Sequence, residues 1–296
     1  MNKTLRFGLA FVLIGVAVVM IVGIMTKDNF FTVDEGMFTS YSDSYTKDEI
    51  SKFDFNFDNR KIYVLPSDDD DIHVEYYLYE KETFSSSVDN GTLRMKIDLR
   101  WYYNFFNFYN LTNPGYYVVN LYLPTSILDY SLDLATSNGN ISLSGIPELQ
   151  DVELSTSNGD IIINQLDANM IDLSTSNGKI ELSDVISTSN INGQTSNGRI
   201  ILDNVKGVDL DFGTSNGRIT ADLIECENLE LSSSNGEVNV EVVGTNDNYK
   251  IRLATSNGDR VLNDIKVDQN NFNTDQTNYI NIESSNGDVE LKFTLD

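Results

Sequence analysis

The chain contains very little of the residue types that build disulfides, catalytic bases or nucleic-acid contacts. Its 296 residues include one cysteine, Cys226, and one histidine, His73. A single cysteine cannot form a disulfide within the chain, so covalent cross-links do not stabilise the fold. The 20 basic and 45 acidic side chains give a net charge of -25. This balance argues against nucleic-acid binding, because phosphate contacts require Lys and Arg.

What the chain has in abundance is one short sequence, repeated at a nearly constant spacing. Eight Asn-Gly pairs, almost all within Thr-Ser-Asn-Gly, follow each other at intervals of 19 to 22 residues, with a last interval of 29 residues. Self-similarity at this period is typical of repeat proteins, in which each unit stacks on its neighbours. The asparagines of these pairs are Asn138, Asn158, Asn177, Asn197, Asn216, Asn235, Asn257 and Asn286.

Apolar residues lie at fixed distances from each of these asparagines. Six and four positions before the asparagine, and three and five positions after it, all of the 32 residues except Gly193 and Arg260 are apolar. This alternation on both sides of a polar corner predicts two short β-strands in each repeat. A bulge is expected at Arg260, where a charge falls on an inward position.

Two arrangements fit this pattern. In a β-solenoid each repeat is one coil, whereas in an array of β-hairpins each Asn-Gly pair forms a type I′ turn. Thr or Ser precedes Ser-Asn-Gly in every repeat, and a hairpin turn does not need that hydroxyl. Stacked coils can join Thr and Asn side chains into hydrogen-bonded ladders, with the eight asparagines as one structural ladder. We therefore predict an all-β solenoid over residues 131–296, with the hairpin array as the alternative.

The residue two positions after each asparagine forms an outward column if the coils stack in register. Three consecutive members of this column are basic: Lys179, Arg199 and Arg218. Ion pairs are expected where unlike charges meet, at Asp160 with Lys179 and at Arg218 with Glu237. The column is either a solvated face with weak ion pairs or a basic stripe that holds a polyanion.

The first 27 residues have the composition of a cytoplasmic tail and a membrane anchor. Gly8 to Met25 is an uncharged, mostly aliphatic stretch, long enough to cross a bilayer as one helix. Lys3 and Arg6 precede it, which favours a cytoplasmic N-terminus with the bulk of the chain outside the cell. A cleaved signal peptide is the alternative, although no small-x-small cleavage site follows. Residues 28–50 are polar and are predicted to be a spacer.

Residues 51–130 keep strands of period two but lack the corner, and we predict that they are irregular coils capping the solenoid. Within them, nine consecutive residues contain seven aromatic side chains, beginning with Trp101, Tyr102 and Tyr103 and ending at Tyr109. This segment is predicted to be a capping loop over the end of the core or a ligand surface. As a ligand surface it would stack on sugar rings or lie against the membrane.

Several of these passages resemble one bacterial family. They are Ile62 to Asp68 with its Leu-Pro pair, His73 to Tyr76, Leu121 to Pro124, and the serial Thr-Ser-Asn-Gly-x-Ile units. Together they resemble the putative-adhesin, β-strand-repeat family, which includes the LiaG-like or toastrack proteins of Gram-positive cell envelopes. The resemblance covers about residues 50–296. It implies a right-handed β-helix-like domain, often membrane-anchored and associated with envelope-stress systems, without established catalytic residues.

Composition, repeat and resemblance together favour a non-enzymatic module in the cell membrane that acts outside the cell. Its expected partner is a cell-wall polymer or an envelope protein, and no nucleic acid, cofactor or metal is expected. The alternative is a polysaccharide-processing β-helix enzyme. Such an enzyme needs a cleft with a pair of carboxylates, and no such pair recurs at an equivalent position of the repeats.

Overall fold

The structure, a computed structural model, describes residues 38–80, 82–99, 115–126 and 129–294. The predicted membrane anchor, residues 1–27, and the aromatic segment from Trp101 to Tyr109 lie outside these ranges. Among the residues that the structure describes, no helix is long and apolar enough to cross a membrane. The same residues form an all-β fold, and their only helical element is a 3-10 turn at Asn246–Asn248.

The described residues form 24 strands. They are β1 (Phe38–Thr46), β2 (Lys52–Phe57), β3 (Lys61–Pro66), β4 (Asp71–Tyr79), β5 (Glu82–Asp89), β6 (Thr92–Leu99), β7 (Val118–Leu123), β8 (Ser131–Thr136), β9 (Ile141–Ser144), β10 (Glu148–Thr156), β11 (Ile161–Thr175), β12 (Ile180–Ser187), β13 (Asn190–Thr195), β14 (Ile200–Lys206), β15 (Asp209–Thr214), β16 (Ile219–Glu225), β17 (Asn228–Ser233), β18 (Val238–Val243), β19 (Lys250–Thr255), β20 (Arg260–Leu262), β21 (Ile265–Lys266), β22 (Asn271–Phe272), β23 (Tyr279–Ser284) and β24 (Val289–Thr294).

Parallel pairing between successive repeats makes these strands one solenoid. Each repeat pairs with the next at equivalent positions, as Thr156 of β10 does with Thr136 of β8. The corner asparagines and glycines have no positive φ, whereas Asn90 and Gly91, which join β5 to β6 in a true hairpin, have φ angles of 49° and 73°. The solenoid is therefore confirmed, and the hairpin array is wrong.

The order of the coils in space departs from their order in the chain at both ends. The coil of β2 and β3 lies between the coil of β6 and β7 and the coil of β8 and β9. At the other end, the coil of β23 and β24 lies between that of β17 and β18 and that of β19 and β20. The corner at Asn286 is thus internal, and the corner at Asn257 belongs to the terminal coil.

Three antiparallel strands extend the N-terminal end of the stack. Strand β4 pairs with β7 and carries β1 on its other edge, while β5 pairs with β6. Strand β1, Phe38–Thr46, lies in the segment predicted to be a spacer, so that prediction is corrected for residues 38–46. The segment was misread because it is rich in polar residues, such as Ser40, Ser42, Asp43 and Ser44, and forms a strand that is mostly exposed.

A second column of turns lies seven residues after the corner asparagines and was not predicted. Gln165, Asp184, Asn204 and Leu223 there have φ angles of 53° to 58°, and Gly145 has a φ of 72°. This left-handed conformation is easy for glycine and tolerable for asparagine, but it is strained for leucine. The side chain of Leu223 is 45% exposed, so burial does not offset its strain.

One continuous apolar core runs along the axis of the stack. Every apolar residue predicted to face inward is buried. At the first exception, Gly193, the ring of Phe212 in the next coil fills the space, since an added Cβ would lie 2.4 Å from its Cδ1. At the second, Arg260, the register with β24 is continuous, so the expected bulge is wrong. Its guanidinium instead turns to the carbonyls of Thr255 and Asp268, at 3.3 and 3.2 Å.

A buried ion pair closes the row of corners at the N-terminal end. Arg60 stands where later coils have the corner glycine, and its guanidinium nitrogen lies 2.6 Å from the Glu82 carboxylate. The two side chains are only 1% and 4% exposed. The guanidinium also lies 4.6 Å from the ring centroid of Tyr117. The coil of β2 and β3 therefore carries a large side chain where the coils with an Asn-Gly corner carry none.

We expect Leu223→Asn to stabilise the protein by about 0.5–1 kcal/mol, because asparagine tolerates the left-handed backbone that strains leucine. Urea denaturation measures this change. The matched control is Leu223→Ala, which also removes the exposed side chain but lacks the short polar group by which asparagine tolerates the left-handed backbone. Equal stability of the two variants would mean that the backbone at residue 223 is not strained.

Candidate functional site

Each corner glycine lies against the backbone of the neighbouring coil. A Cβ added to Gly178 would lie 1.7 Å from the carbonyl oxygen of Gly159, and one added to Gly198 would lie 1.7 Å from that of Gly178. The close approach of two backbones therefore requires glycine here, and the turn conformation does not. The same contact, at 1.7 to 2.2 Å, recurs at Gly139, Gly159, Gly217, Gly236, Gly258 and Gly287.

A hydroxyl joins each corner to a neighbouring coil, and it is buried in every coil except that of Thr255. Thr175 Oγ1 donates to the carbonyl of Gly159 at 3.0 Å and accepts a hydrogen bond from the Gly178 N–H at 3.1 Å. One side chain thus satisfies two buried backbone groups that the strand ladders leave out. The same pair of bonds is made by Thr156, Thr195, Thr214, Ser233 and Ser284.

The corner asparagines form an exposed amide row on the outside of the same corner. Asn177 Nδ2 donates to Asn158 Oδ1 at 2.7 Å, and Asn197 Nδ2 donates to Asn177 Oδ1 at 2.7 Å. The row begins at Asn59, which the sequence analysis missed because its corner reads Asp-Asn-Arg. In spatial order the row runs Asn59, Asn138, Asn158, Asn177, Asn197, Asn216, Asn235, Asn286 and Asn257.

The three basic residues of the predicted stripe lie in consecutive coils of the stack. Lys179, Arg199 and Arg218 each precede strands that pair in parallel register, β12, β14 and β16. Lys179 does not pair with Asp160 as expected, because its ammonium group contacts Glu181 of its own strand. Asp160 instead accepts a hydrogen bond from the backbone N–H of Lys179 at 2.9 Å.

The other two residues of the stripe differ in their surroundings. Arg218 pairs with Glu237 as expected, with 2.5 Å between Nη2 and Oε2. Arg199 is exposed, and within the described ranges no carboxylate pairs with it. In its own strand the next outward residue is Ile201, and its neighbours in the column are both cations. Arg199 is therefore the member of the stripe with the most available charge.

A column of stacked acids, which the sequence analysis missed, faces outward on the other strand ladder. It lies five positions before the corner asparagines, where every residue except Asn192, Arg252 and Asn281 is Asp or Glu, and this pattern was readable from the sequence. Burial and the Glu230 carboxylate raise the pKa of Asp211 above its usual range. Four consecutive acids pair in register at one end of the column: Asp54, Asp133, Glu153 and Asp172.

An open groove of about 640 Å³ runs along a third set of turns, next to the 3-10 turn. The Lys206 ammonium in it lies 3.0 Å from the Glu225 carboxylate, and the Tyr249 hydroxyl donates to the Cys226 carbonyl at 2.8 Å. Burial raises the pKa of the Cys226 thiol to about 12, so it stays protonated and unreactive at neutral pH. Lys206 and Glu225 pair with each other, and the Tyr249 hydroxyl bonds to a backbone carbonyl. None of these named groups is therefore an evident reactive centre of the groove.

The single histidine takes part in a chain of hydrogen bonds at the N-terminal edge of the stack. His73 Nδ1 lies 2.9 Å from Ser44 Oγ, and its Nε2 lies 2.8 Å from Asp69 Oδ1. Serine hydrolases use the same three groups in series. Here the three groups lie on an open surface beside the acidic run of residues 68–71. The negative charge of that run would repel a developing oxyanion. Ser44 and His73 are also direct cross-strand partners, which accounts for their contact.

Metal-binding side chains do not cluster in the described residues. No group of three or more His, Cys, Asp or Glu side chains there could hold a metal ion. The four aspartates from Asp68 to Asp71 form a turn in which Asp69 Oδ1 accepts from the Asp71 N–H at 3.0 Å. This hydrogen bond and that of His73 lower the pKa of Asp69.

Comparison with known proteins places the chain in a family. The family model described as Toastrack DUF4097 matches residues 50–292, which is most of the chain. This confirms the resemblance stated from the sequence. Among proteins with curated descriptions, none matches the chain.

Solved structures of similar shape come from several bacteria. A putative cell adhesion protein from Clostridium sporogenes is 14% identical, with a TM-score of 0.34, over 87% of this chain and 100% of that one. A putative adhesin from Parabacteroides distasonis is 10% identical, with a TM-score of 0.46, over 86% and 97%. A putative lipid binding protein from the same organism is 11% identical, with a TM-score of 0.37, over 88% and 98%.

We expect Gly178→Ala to destabilise the protein by roughly 3 kcal/mol or more, because two backbones must move apart to admit the new Cβ. Chemical denaturation measures this loss. The matched control is Gly115→Ala, since an added Cβ there meets nothing within 4 Å. If both variants were equally stable, the close approach at the corner would be refuted.

We expect Asp211→Asn to stabilise the protein at neutral pH by about 0.5 kcal/mol or less, given the screening at an exposed site. The folded-state pKa of Asp211 is raised, so this residue favours folding at low pH and loses that contribution as pH rises through the folded pKa. The gain from Asn should therefore vanish near pH 3, below both pKa values of Asp211. The exposed Asp247→Asn is the control, and a pH-independent difference for Asp211→Asn would speak against repulsion by Glu230.

Proposed function

We propose that this chain, which belongs to the Toastrack DUF4097 family, is a non-enzymatic module of the bacterial cell envelope. In this proposal it binds an anionic cell-wall polymer along the basic stripe of Lys179, Arg199 and Arg218. The observation that carries the proposal is Arg199, an exposed cation stacked between two others without a carboxylate partner in the described residues.

Stability alone does not explain this arrangement. Like charges at directly opposite positions of a sheet destabilise it, and an acid at position 199 would pair with both neighbours of the column. The chain has 45 acidic side chains to place, yet three consecutive coils carry cations here. A repeating anion would relieve the repulsion, because coils that stack at a strand spacing of about 4.8 Å offer it a regular row of charges.

The proposed location follows from the N-terminal sequence. The uncharged stretch from Gly8 to Met25, preceded by Lys3 and Arg6, supports an uncleaved anchor in the cell membrane with a cytoplasmic N-terminus. The solenoid would then stand outside the cell, where wall polymers lie within its reach. A LiaG-like role in envelope stress remains part of the proposal on the strength of the sequence resemblance.

The test is co-sedimentation of the full-length chain, in mild detergent, with isolated cell-wall sacculi at low and high salt. We expect binding at low salt that falls as salt screens the charges. A triple variant with Lys179, Arg199 and Arg218 changed to Ser should bind roughly tenfold more weakly or worse, as expected for the loss of three partly screened charges.

The control is a second triple variant with the same change in net charge, Lys52, Lys96 and Lys292 to Ser. These lysines are exposed and lie on different strands, β2, β6 and β24. Equal loss of binding in both variants would mean that net charge, rather than the stripe, governs binding. Absence of wild-type binding under every condition would overturn the polymer as ligand and leave an envelope protein as the partner to test.

A further inference from the structure

The corner units contain the dipeptide that is chemically least stable in proteins, since Asn followed by Gly cyclises readily. In this reaction the glycine backbone nitrogen loses its proton to solvent base and attacks Cγ of the asparagine. The new N–Cγ bond forms as the Cγ–Nδ2 bond breaks, and the Nδ2 group takes a proton from the solvent and leaves as ammonia. Water then opens the five-membered imide at either carbonyl and gives isoaspartate or aspartate.

In most coils the corner hydroxyl blocks the first step. The N–H that must be deprotonated donates to Thr175 Oγ1 at Gly178 and to Thr195 Oγ1 at Gly198, both at 3.1 Å. The hydroxyl that accepts this bond is itself fixed by the carbonyl of the preceding coil. Seven of the eight corner glycines have this bond: Gly139, Gly159, Gly178, Gly198, Gly217, Gly236 and Gly287.

The eighth corner glycine, Gly258, lacks this bond. Thr255 Oγ1 donates to the carbonyl of Gly287 at 2.8 Å, but no described residue accepts a hydrogen bond from the Gly258 N–H. Thr255 and Gly258 are also only half-buried, while the equivalent Thr175 and Gly178 are buried. Among the described residues, this corner belongs to the terminal coil and has a neighbouring corner on one side.

The attacked side chain is also at the end of its row. Asn257 Nδ2 donates to Asn286 Oδ1 at 2.8 Å, and within the described part of the chain nothing donates to Asn257 Oδ1. An internal asparagine such as Asn177 is bonded at both its nitrogen and its oxygen. The carboxamide of Asn257 is therefore freer to turn towards the backbone nitrogen that attacks it.

We propose that Asn257-Gly258 is a site of spontaneous deamidation in this protein, and that the other corner pairs are protected from it. The product adds a negative charge beside Asp259 and, as isoaspartate, one methylene to the backbone of the terminal coil. Asp259 already shares the region with Asp288, whose carboxylate accepts from its N–H at 2.7 Å. The Lys266 ammonium also lies 2.6 Å from the Asp259 carboxylate, so the added methylene, rather than the added charge, is expected to weaken the attachment of the outermost coil, β19 and β20.

The test is incubation of the full-length protein at mildly alkaline pH, followed by proteolysis and mass spectrometry of every peptide with a corner Asn-Gly. We expect Asn257 to convert roughly tenfold faster than the seven others, the factor that corresponds to about 1.4 kcal/mol, near the value of one hydrogen bond. Isoaspartate should be found at residue 257. Equal rates at all eight corners, or a faster rate at an internal corner, would overturn the proposal.

Two variants test whether the hydrogen bond of the glycine N–H, rather than fraying of the coil, controls the deamidation rate. Thr156→Val removes the acceptor of the Gly159 N–H, so Asn158 should deamidate markedly faster than in the wild-type protein. Thr255→Val removes a hydroxyl that does not bond to Gly258, so the rate at Asn257 should change little. An increase at Asn257 in Thr255→Val as large as that at Asn158 in Thr156→Val would show that coil opening controls the rate, against the proposal. Circular dichroism confirms that both variants are folded.

Discussion

The structure depends on how closely two backbones approach at the Asn-Gly corner. Gly178 lies so close to the carbonyl of Gly159 that no side chain fits between them. The hydroxyl of Thr175 sits in the same place and bonds to both coils. Glycine thus sets the spacing, and threonine satisfies the buried groups that this spacing would leave unpaired. Because both residues recur with the repeat, each coil stacks in the register of the one before it.

The inward residues and the corner were predictable from the sequence because they repeat. Offsets from the asparagine place Leu132, Leu134, Ile141 and Leu143 in the core without knowledge of any partner. The repeat also favours the solenoid over hairpins, because Thr or Ser precedes Ser-Asn-Gly in every copy and a hairpin turn does not need that hydroxyl. By contrast, Asn59 was missed because its corner carries Arg60, an exception that a pattern search passes over.

The features that were not predictable depend on the whole stack or on side-chain choice. The 29-residue interval before Asn286 precedes a coil that is inserted between two others. The length of an interval does not show which coils lie next to each other. The left-handed turns use four different residue types besides glycine, so composition does not mark them. Lys179 pairs with Glu181 of its own strand instead of Asp160 in the preceding coil, and the sequence alone does not show which of two acids within reach forms the ion pair.

A stack converts each outward position of the repeat into a line of side chains along the molecule. One such line contains Lys179, Arg199 and Arg218, and another contains Asp133, Glu153 and their neighbours. Neither line carries one sign of charge throughout, since Asp160 and Glu237 flank the three cations and Arg94 pairs with Asp54 beyond the acids. The run of three cations is the physical basis of the proposed binding to a repeating anion, and it comes from the same register that the corners impose.

The most direct test of this account is native-state hydrogen exchange at the corner glycine amides, measured by nuclear magnetic resonance. The N–H groups of Gly159, Gly178 and Gly198 bond to buried hydroxyls, so they should exchange as slowly as those of the core strands. An exposed turn amide, that of Gly115, serves as the fast reference. Exchange of the three corner amides at the rate of Gly115 would contradict the central role of the hydroxyl-bridged corner.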